Sequence, residues 1–395
     1  MGYPPANRGT VVLWGLLANS PFGGMTWQVL HHLVGLRRLG FDVWYVEDSD
    51  TPMLRPGDLE IAEDPEQNAA FTAAILARIG FEDRWILRVP YSEETLGQPR
   101  ARLDRLYREA DAVFNLCGAH WLLDRHDAIE MLVLLETDPV SLQVHLASGD
   151  PVLAEQVGRY AHLFSYGQNL GRRCCPVPTG GVHWQPTRPP VVLDWWAGGP
   201  PPRDASVTTV ATWGDHGAGK DVSWDGASYR WRKDVAFAPY LDLPARAPLP
   251  LELALARLGP DDEHRLQERG WRLRSASTLR EPDAYRGYVR SSLAEFTPVK
   301  EQYTRTRCGW MSDRSVCYLA AGRPVVCEST GAEDHVPVGA GLLTFTDADA
   351  DGAVAALEQV AADPEYHGNA ARDLAREHFA AERVLGAVAE RVGLL

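Results

Sequence analysis

The sequence predicts an α/β protein made of two doubly wound parallel sheets that face each other. Three observations carry that expectation. At 395 residues the chain exceeds the size at which one hydrophobic core keeps growing, so two units of nearly 200 residues are the natural division. Strand-length apolar runs alternate with helix-length amphipathic stretches in both halves, the order that a parallel sheet with crossover helices requires. Between the two series, from Cys174 to Asp204, the composition shifts to Pro, Gly and Trp in "CCPVPTGGVHWQPTRPPVVLDWWAGGPPPRD".

"TVVLWGLL" (Thr10 to Leu17) is continuously apolar, as suits a strand buried on both faces. The turn "ANSPFGGM" follows, then "TWQVLHHLVGLRRLG", with Val29, Leu30, Leu33, Leu36 and Leu39 at helical spacing and Gly40 as its stop. "FDVWYVED" completes a βαβ unit, whose crossover is expected to be right-handed. The alternation continues with a helix over Glu66 to Ile79, a strand at "DRWILRV", a helix over Arg100 to Glu109 and strands at "DAVFNLC", "MLVLLETDP" and "HLFSYGQN". The second series runs through "SVTTVATWG", "RGWRLRSAS", "EPDAYRGYVRSS", "LAEFTPV", "CGWMSDRSVCYLAAGRPVV" and "GAGLLTFTD", and ends in amphipathic helices. The expected division is an N-terminal Rossmann-like domain over 1–185, a linker over 186–204, a second Rossmann-like domain over 205–380 and a terminal helix over 381–395. Open α/β sheets bind ligands beyond the carboxyl ends of their strands, so a cleft between the two is the expected ligand site.

Composition removes several classes. A hydrophobic fraction of 45% and a charged fraction of 23% belong to an ordinary globular protein. A net charge of -14 argues against a chain that coats nucleic acid or an anionic membrane through a general positive field. None of the six cysteines stands in a CxxC pair with zinc-ligand spacing, so free buried thiols and no metal are expected. "MGYPPANRGT" contains no apolar core of signal length and no run approaches the ~20 apolar residues of a membrane helix, so a cytoplasmic protein without a membrane span is expected.

From about Ser291 to Phe379 the chain resembles group 1 (family 4) glycosyltransferases of the GT-B fold. "CYLAAGRPVV", "STGAEDH" and "GAGLLTF" stand where that family has its "EAMACGKPVV" type of sequence, a glycine loop and "GLLV". More narrowly, "RCGWMSDRSVCYLAAGRPVVCESTG" together with "YRWRK" resembles an uncharacterised bacterial subgroup of such enzymes. The resemblance implies a GT-B protein that takes a sugar from a nucleoside diphosphate-sugar, a co-substrate rather than a resident cofactor. It departs in one respect: the family's two glutamates in this segment align with Gly309 and Cys317.

A leaving nucleoside diphosphate gains negative charge, so its site needs backbone N–H groups, hydroxyls and fixed cations. Ser312, Asp313 and Arg314 precede a helix, where Ser312 and Asp313 are expected to cap it and to reach the donor. Gly23 and Gly24, with Met25, sit in the first βα turn, where the backbone can approach a ligand. Lys220, Arg232 and Lys233 are the expected phosphate cations, with Lys300 a further candidate; as a strand, "YRWRK" would put Tyr229, Trp231 and Lys233 on one face. Ser329, Thr330 and Gly331 form the loop after the next strand. His120 and Asp138 each follow an apolar strand and are the candidate bases, whereas His31 and His32 lie within the first helix and are not expected to react.

The expected function is transfer of a hexose or deoxysugar, without a metal, to a hydroxyl of a small molecule or glycan, with no nucleic-acid partner. Two other readings share this architecture. A sugar-nucleotide 2-epimerase would need several carboxylates at the reacting carbon, and a non-catalytic nucleotide-sugar or glycan-binding protein would keep the fold without the glutamates.

Overall fold

The computed structural model describes residues 3–56, 60–214 and 220–395. The segment "GDHGAGK" lies partly outside these residues. The first sheet has eight strands: β1 (Thr10–Trp14), β2 (Asp42–Glu47), β3 (Trp85–Arg88), β4 (Thr95–Gly97), β5 (Ala112–Leu116), β6 (Leu132–Glu136), β7 (His162–Ser165) and β8 (Gln185–Pro186). Their order is β4-β3-β2-β1-β5-β6-β7-β8, all parallel except the edge strand β4. The chain therefore builds outward from β1 to β3 and then crosses back to β5, which leaves a topological switch point between β1 and β5.

The second half opens with β9 (Val207–Thr212), followed by the hairpin β10 (Val222–Trp224) and β11 (Ala227–Tyr229). Then come β12 (Leu251–Ala256), β13 (Arg272–Ser275), β14 (Ala294–Thr297), β15 (Val325–Glu328) and β16 (Leu342–Phe345). The order β13-β12-β9-β14-β15-β16 repeats the same logic, with a switch point between β9 and β14. Both sheets are covered on two faces. Val11 and Leu13 pack into one cluster while Val12 and Trp14 pack into another, all four fully buried, which is why β1 reads as an unbroken apolar run.

The predicted strands and helices form close to their expected positions; the helix Arg100–Glu109 matches to the residue. Elements outside the expectation include β4, β8, the hairpin, β12 and the helices Ser141–Ala147, Pro151–Gly158 and Pro260–Glu268. The sequence of β12, "LELALA", consists of residues with good helix propensity, and pairing on both sides with β9 and β13 overrides it. The expected strand over "YRWRK" is corrected. It ends at Tyr229, and Lys233 begins the short helix Lys233–Phe237, so Tyr229 packs under Arg305 while Trp231 and Lys233 turn elsewhere.

The segment expected as a linker is partly core. Trp196 is fully buried, and Val191 exchanges backbone hydrogen bonds with Phe379 (2.7 Å) and Ala381 (2.9 Å). The terminal helix Ala381–Arg391 lies on the first helix, Gly23–Arg38. Gly35 permits that approach, since a Cβ there would stand 2.5 Å from Leu385 Cδ1. One apolar cluster thus runs from the first sheet through the first helix to Val316, Tyr318 and Leu385.

Candidate functional site

The carboxyl end of the second sheet and the turn after β1 of the first open on one cavity of about 930 Å3. Its N-terminal wall is the start of the first helix, Phe22 to Met25 with Gln28. Its other wall is built from the ends of β9 (Val210–Thr212), β12 (Ala256, Arg257) and β13 (Ser275–Ser277). The floor carries Lys300 after β14 and Asp313, Arg314 and Cys317 from the helix Asp313–Ala320.

Positive charge concentrates here. Lys220, Trp231, Arg232 and Lys233 enter the lining from the segment after the hairpin's approach and exit. Lys233 Nζ donates to Pro298 O and to Thr297 Oγ1 (3.2 Å), two neutral acceptors at the end of β14. Burial, reinforced by Arg314 and Lys300, depresses the Lys233 ammonium far below the ordinary lysine range. Lys300 Nζ lies 3.2 Å from the centre of the Trp231 ring and Lys220 Nζ 4.8 Å from it. Burial lowers Lys300 to about 7, against the pull of Asp138. Arg314 donates to Val210 O (2.7 Å) and Thr297 Oγ1 (2.9 Å) and pairs with the fully buried Glu295. Among the described residues no carboxylate pairs with Lys233 or Lys300, so an anion entering the cavity meets two amines that no ion pair occupies and whose protonation it favours.

Asp313 does not do what its position suggested. Neither it nor Ser312 caps the helix through a side chain; Ser312 stands at the N-cap without such a bond. Asp313 instead faces the N-terminal half, accepting from Gln28 Nε2 (2.8 Å) and from the Tyr166 hydroxyl (3.4 Å). Burial pushes its carboxyl up to about 7, with the Gln28 donor opposing and the charge of Asp138 adding to the rise.

The glycine turn is also reassigned in part. Gly23 and Gly24 line the cavity, but the space at Gly23 is taken by the other domain: a Cβ there would stand 2.6 Å from Leu279 O and 2.9 Å from Tyr285 Cβ. Trp27, one turn on, donates to Pro282 O (2.8 Å). The first helix is thus a seam between the halves as well as a wall of the cleft.

His120 is removed from the candidate bases. It is 2% exposed, packs on Trp14, and its Nε2 accepts from the Asp48 backbone N–H (2.9 Å); burial lowers it to about 3. Its neighbours belong to a buried network in which Asp48 takes Arg88, Tyr107 and His126. Asp138 is exposed and accepts from the Tyr303 hydroxyl (2.8 Å). Tyr303 stacks on Trp310 at 4.2 Å, and Trp310 Nε1 donates to Thr137 O (2.8 Å), so this pair stitches the two halves together beside the floor. His31 and His32 are buried, as expected of interior helix positions.

Ser329, Thr330 and Gly331 stand apart from the main cavity. Ser329 Oγ donates to Glu333, and Thr330 Oγ1 donates to Trp310 O (2.6 Å). Gly331 is held at φ 83° against Asn169 and the Arg307 carbonyl. Gly309 has the same left-handed backbone (φ 83°), and a Cβ would stand 3.0 Å from Asn169 N. A glutamate at that position is therefore opposed by the backbone as well as by the packing. Cys317 is 3% exposed, with Sγ 3.8 Å from His31 Nε2. Gln28, Tyr285, Arg257 and Ser275–Ser277 join the lining without having been singled out. The strand-end rule alone points to the serines, whereas nothing in the sequence marks Gln28 among the other residues of a buried helix.

Among the described residues no group of three or more His, Cys, Asp or Glu side chains could hold a metal, and no helix is long and apolar enough to cross a membrane. No known protein-family profile and no curated protein matches the chain. Solved structures do. Anabaena HepE in complex with UDP and glucose aligns with a TM-score of 0.56 at 14% identity, covering 98% of this chain and 100% of that one. Sucrose-phosphate synthase from Thermosynechococcus elongatus gives 0.55 at 12% identity (97% and 99% covered), and an alpha-glucosyltransferase in complex with UDP gives 0.59 at 10% identity (97% and 99%). The two facing Rossmann-like domains are therefore the GT-B arrangement, a fold shared with these structures.

Proposed function

We propose that the protein is a glycosyltransferase that moves a sugar from a nucleoside diphosphate-sugar to a hydroxyl of a small-molecule or glycan acceptor. The observation that carries this reading is the pair of buried amines for which the described residues supply no carboxylate partner, Lys233 and Lys300, beside the Arg314 guanidinium on the floor of the interdomain cavity. A pyrophosphate leaving group gains charge as its bond to the sugar breaks; entry of that anion favours the protonated form of Lys233 and Lys300, which burial otherwise disfavours, and sets their charge beside Arg314 where the leaving group needs it. These side chains supply the positive charge that a metal ion would otherwise bring. The ends of β12 and β13 offer backbone groups and serine hydroxyls to the nucleoside, and the first-helix wall is left for the sugar and the acceptor. Two of the similar structures, HepE and the alpha-glucosyltransferase, hold UDP, which makes UDP-sugars the first donors to try. The net charge of -14 disfavours a nucleic-acid acceptor.

One observation favours a second reading, a nucleotide-sugar-binding protein without turnover. The residues standing where the resembled family carries glutamates are a glycine with φ 83° and a buried cysteine. Titration with UDP-, ADP-, GDP- and dTDP-sugars, followed by incubation with an acceptor panel read by mass shift, separates the two. Acceptor-dependent release of nucleoside diphosphate with a glycosylated product supports transfer, and saturable binding without product supports the second reading. Absence of both binding and turnover with every donor refutes both.

A further inference from the structure

Asp313 is the end point of a one-way chain of hydrogen-bond donors. Thr137 Oγ1, just after β6, donates to Cys117 Sγ (3.1 Å), and the Cys117 thiol, just after β5, donates to Gln28 Oε1 (3.1 Å). That leaves the Gln28 amide with one orientation, its Nε2 donating to Asp313 Oδ2. Tyr166, just after β7, adds its hydroxyl from the other side. Three strand ends and the first helix of the N-terminal domain thus converge on one carboxyl of the C-terminal domain. Every link in the sequence-distant chain points its proton toward that carboxyl.

A carboxylate has about four lone-pair directions, and Gln28 and Tyr166 use two. Asp313 lines the cavity, so the others are open to what fills it. In its ionised form, the form its Gln28 and Tyr166 donors favour, Asp313 repels a phosphate oxygen at those positions, because two anions repel where neither is hydrated. It accepts a donor there, and the donors that a sugar nucleotide and its acceptor bring to this end of the cleft are hydroxyls. Arg314, the adjacent cation, is engaged by Glu295 and does not neutralise Asp313. The titratable groups facing it are Asp138 after β6, Cys117 after β5, Tyr166 after β7 and Cys317 on its own helix.

We propose that Asp313 accepts a hydrogen bond from a substrate hydroxyl at the point of transfer, and that Gln28, Cys117, Thr137 and Tyr166 are positioning residues that hold it there. The proposal rests on the sugar-nucleotide reading of the cleft. It assigns the hydroxyl either to the transferred sugar or to the acceptor, two sources with the same chemistry. Gln28 and Cys117 have no role in this scheme other than orientation and charge, since both act through Asp313.

The test compares the full chain with its Asp313→Asn and Gln28→Ala variants. Calorimetry with UDP and with the best UDP-sugar measures the affinity that the sugar adds; steady-state kinetics over pH 5.5–9 measures turnover. Asp313→Asn is expected to bind UDP within threefold of wild type while kcat/KM falls at least fiftyfold. Gln28→Ala is expected to move the acid limb of the pH profile up by about one unit, because a donor that favours the anion is gone. If one deoxygenated donor sugar erases the Asp313→Asn defect, the hydroxyl is on the sugar. If donor hydrolysis is intact and only transfer is lost, it is on the acceptor. A parallel loss of UDP affinity, unchanged kcat/KM, or an unmoved pH profile in Gln28→Ala overturns the assignment. If wild type turns over no sugar nucleotide, the proposed function fails by that result alone. The assignment is then confined to the sugar hydroxyl and judged on binding: Asp313→Asn must abolish the affinity gained by UDP-sugar over UDP, and retention of that gain overturns it.

Discussion

Replacing Lys233 by methionine separates function from stability at the phosphate site. The methionine keeps the length and apolar contacts of the lysine stem, and it removes an amine held by a backbone carbonyl and one hydroxyl rather than by a carboxylate. Pro298 O keeps a donor after the substitution, because Thr297 Oγ1 also reaches it (3.2 Å). A hydrogen bond between a charged donor and a phosphate is worth about 1.5–3 kcal/mol, so UDP affinity should fall roughly ten- to a hundredfold at ~1.4 kcal/mol per decade. Stability should move the other way. Since the folded-state pKa is depressed, the unfolded chain binds more protons between that value and the usual lysine range near 10.4, and wild-type stability rises with pH across this window. The Met variant loses that contribution, so its melting temperature should equal or exceed wild type near pH 7 and the difference should shrink toward pH 10. Calorimetric titration with UDP and thermal unfolding at several pH values read both effects. Binding of UDP within twofold of wild type would refute the placement of phosphate at Lys233, and a variant much less stable at pH 7 would refute the account of an unpaired, desolvated ammonium.

Gly23→Ala brings a Cβ within 2.6 Å of the Leu279 carbonyl; overpacking of about 1–3 kcal/mol is expected, with weaker UDP binding as the halves are pushed apart, both read by calorimetry. Glu295→Ala strands Arg314 beneath the site and should cost about 3–5 kcal/mol in urea unfolding, whereas a loss under 1 kcal/mol would mean that Val210 O and Thr297 suffice to hold the guanidinium. His120→Ala leaves the Asp48 N–H without its acceptor and should cost roughly 1–3 kcal/mol of stability while kcat at 20 °C stays within threefold of wild type; a larger fall in kcat would restore His120 to the reaction.

The alternation of apolar runs and amphipathic stretches made both sheets legible, because strand and helix periods are properties of the local chain. The switch points followed from topology, and with them the location of the cleft. Among the candidate site residues, Gly23, Gly24, Lys220, Arg232, Lys233, Asp313 and Arg314 line the cavity, and for Asp313 and Gly23 the reason differs from the one the sequence suggests. Asp313 was read as a helix cap because capping is a local rule, and it instead spans the domain seam to Gln28, 285 positions away in the chain. Gly23 was read as room for a ligand and is room for Leu279 and Tyr285. His120 followed a strand in the way a catalytic base does, but the side chain turns back under Trp14 toward Asp48.

What the sequence determined by itself is the part that depends on near neighbours: two α/β halves, the helix–turn–strand segment around Gly322 to Val326, and a local store of basic residues in an acidic chain. The tertiary structure decided which of those charges lack a partner and which carboxyl is held by donors from the other domain. Those properties belong to residues distant in the chain, from Arg314 and Glu295 within one domain to Gln28 and Asp313 across the seam, and only tertiary packing sets their distances, their exposure and hence their charge.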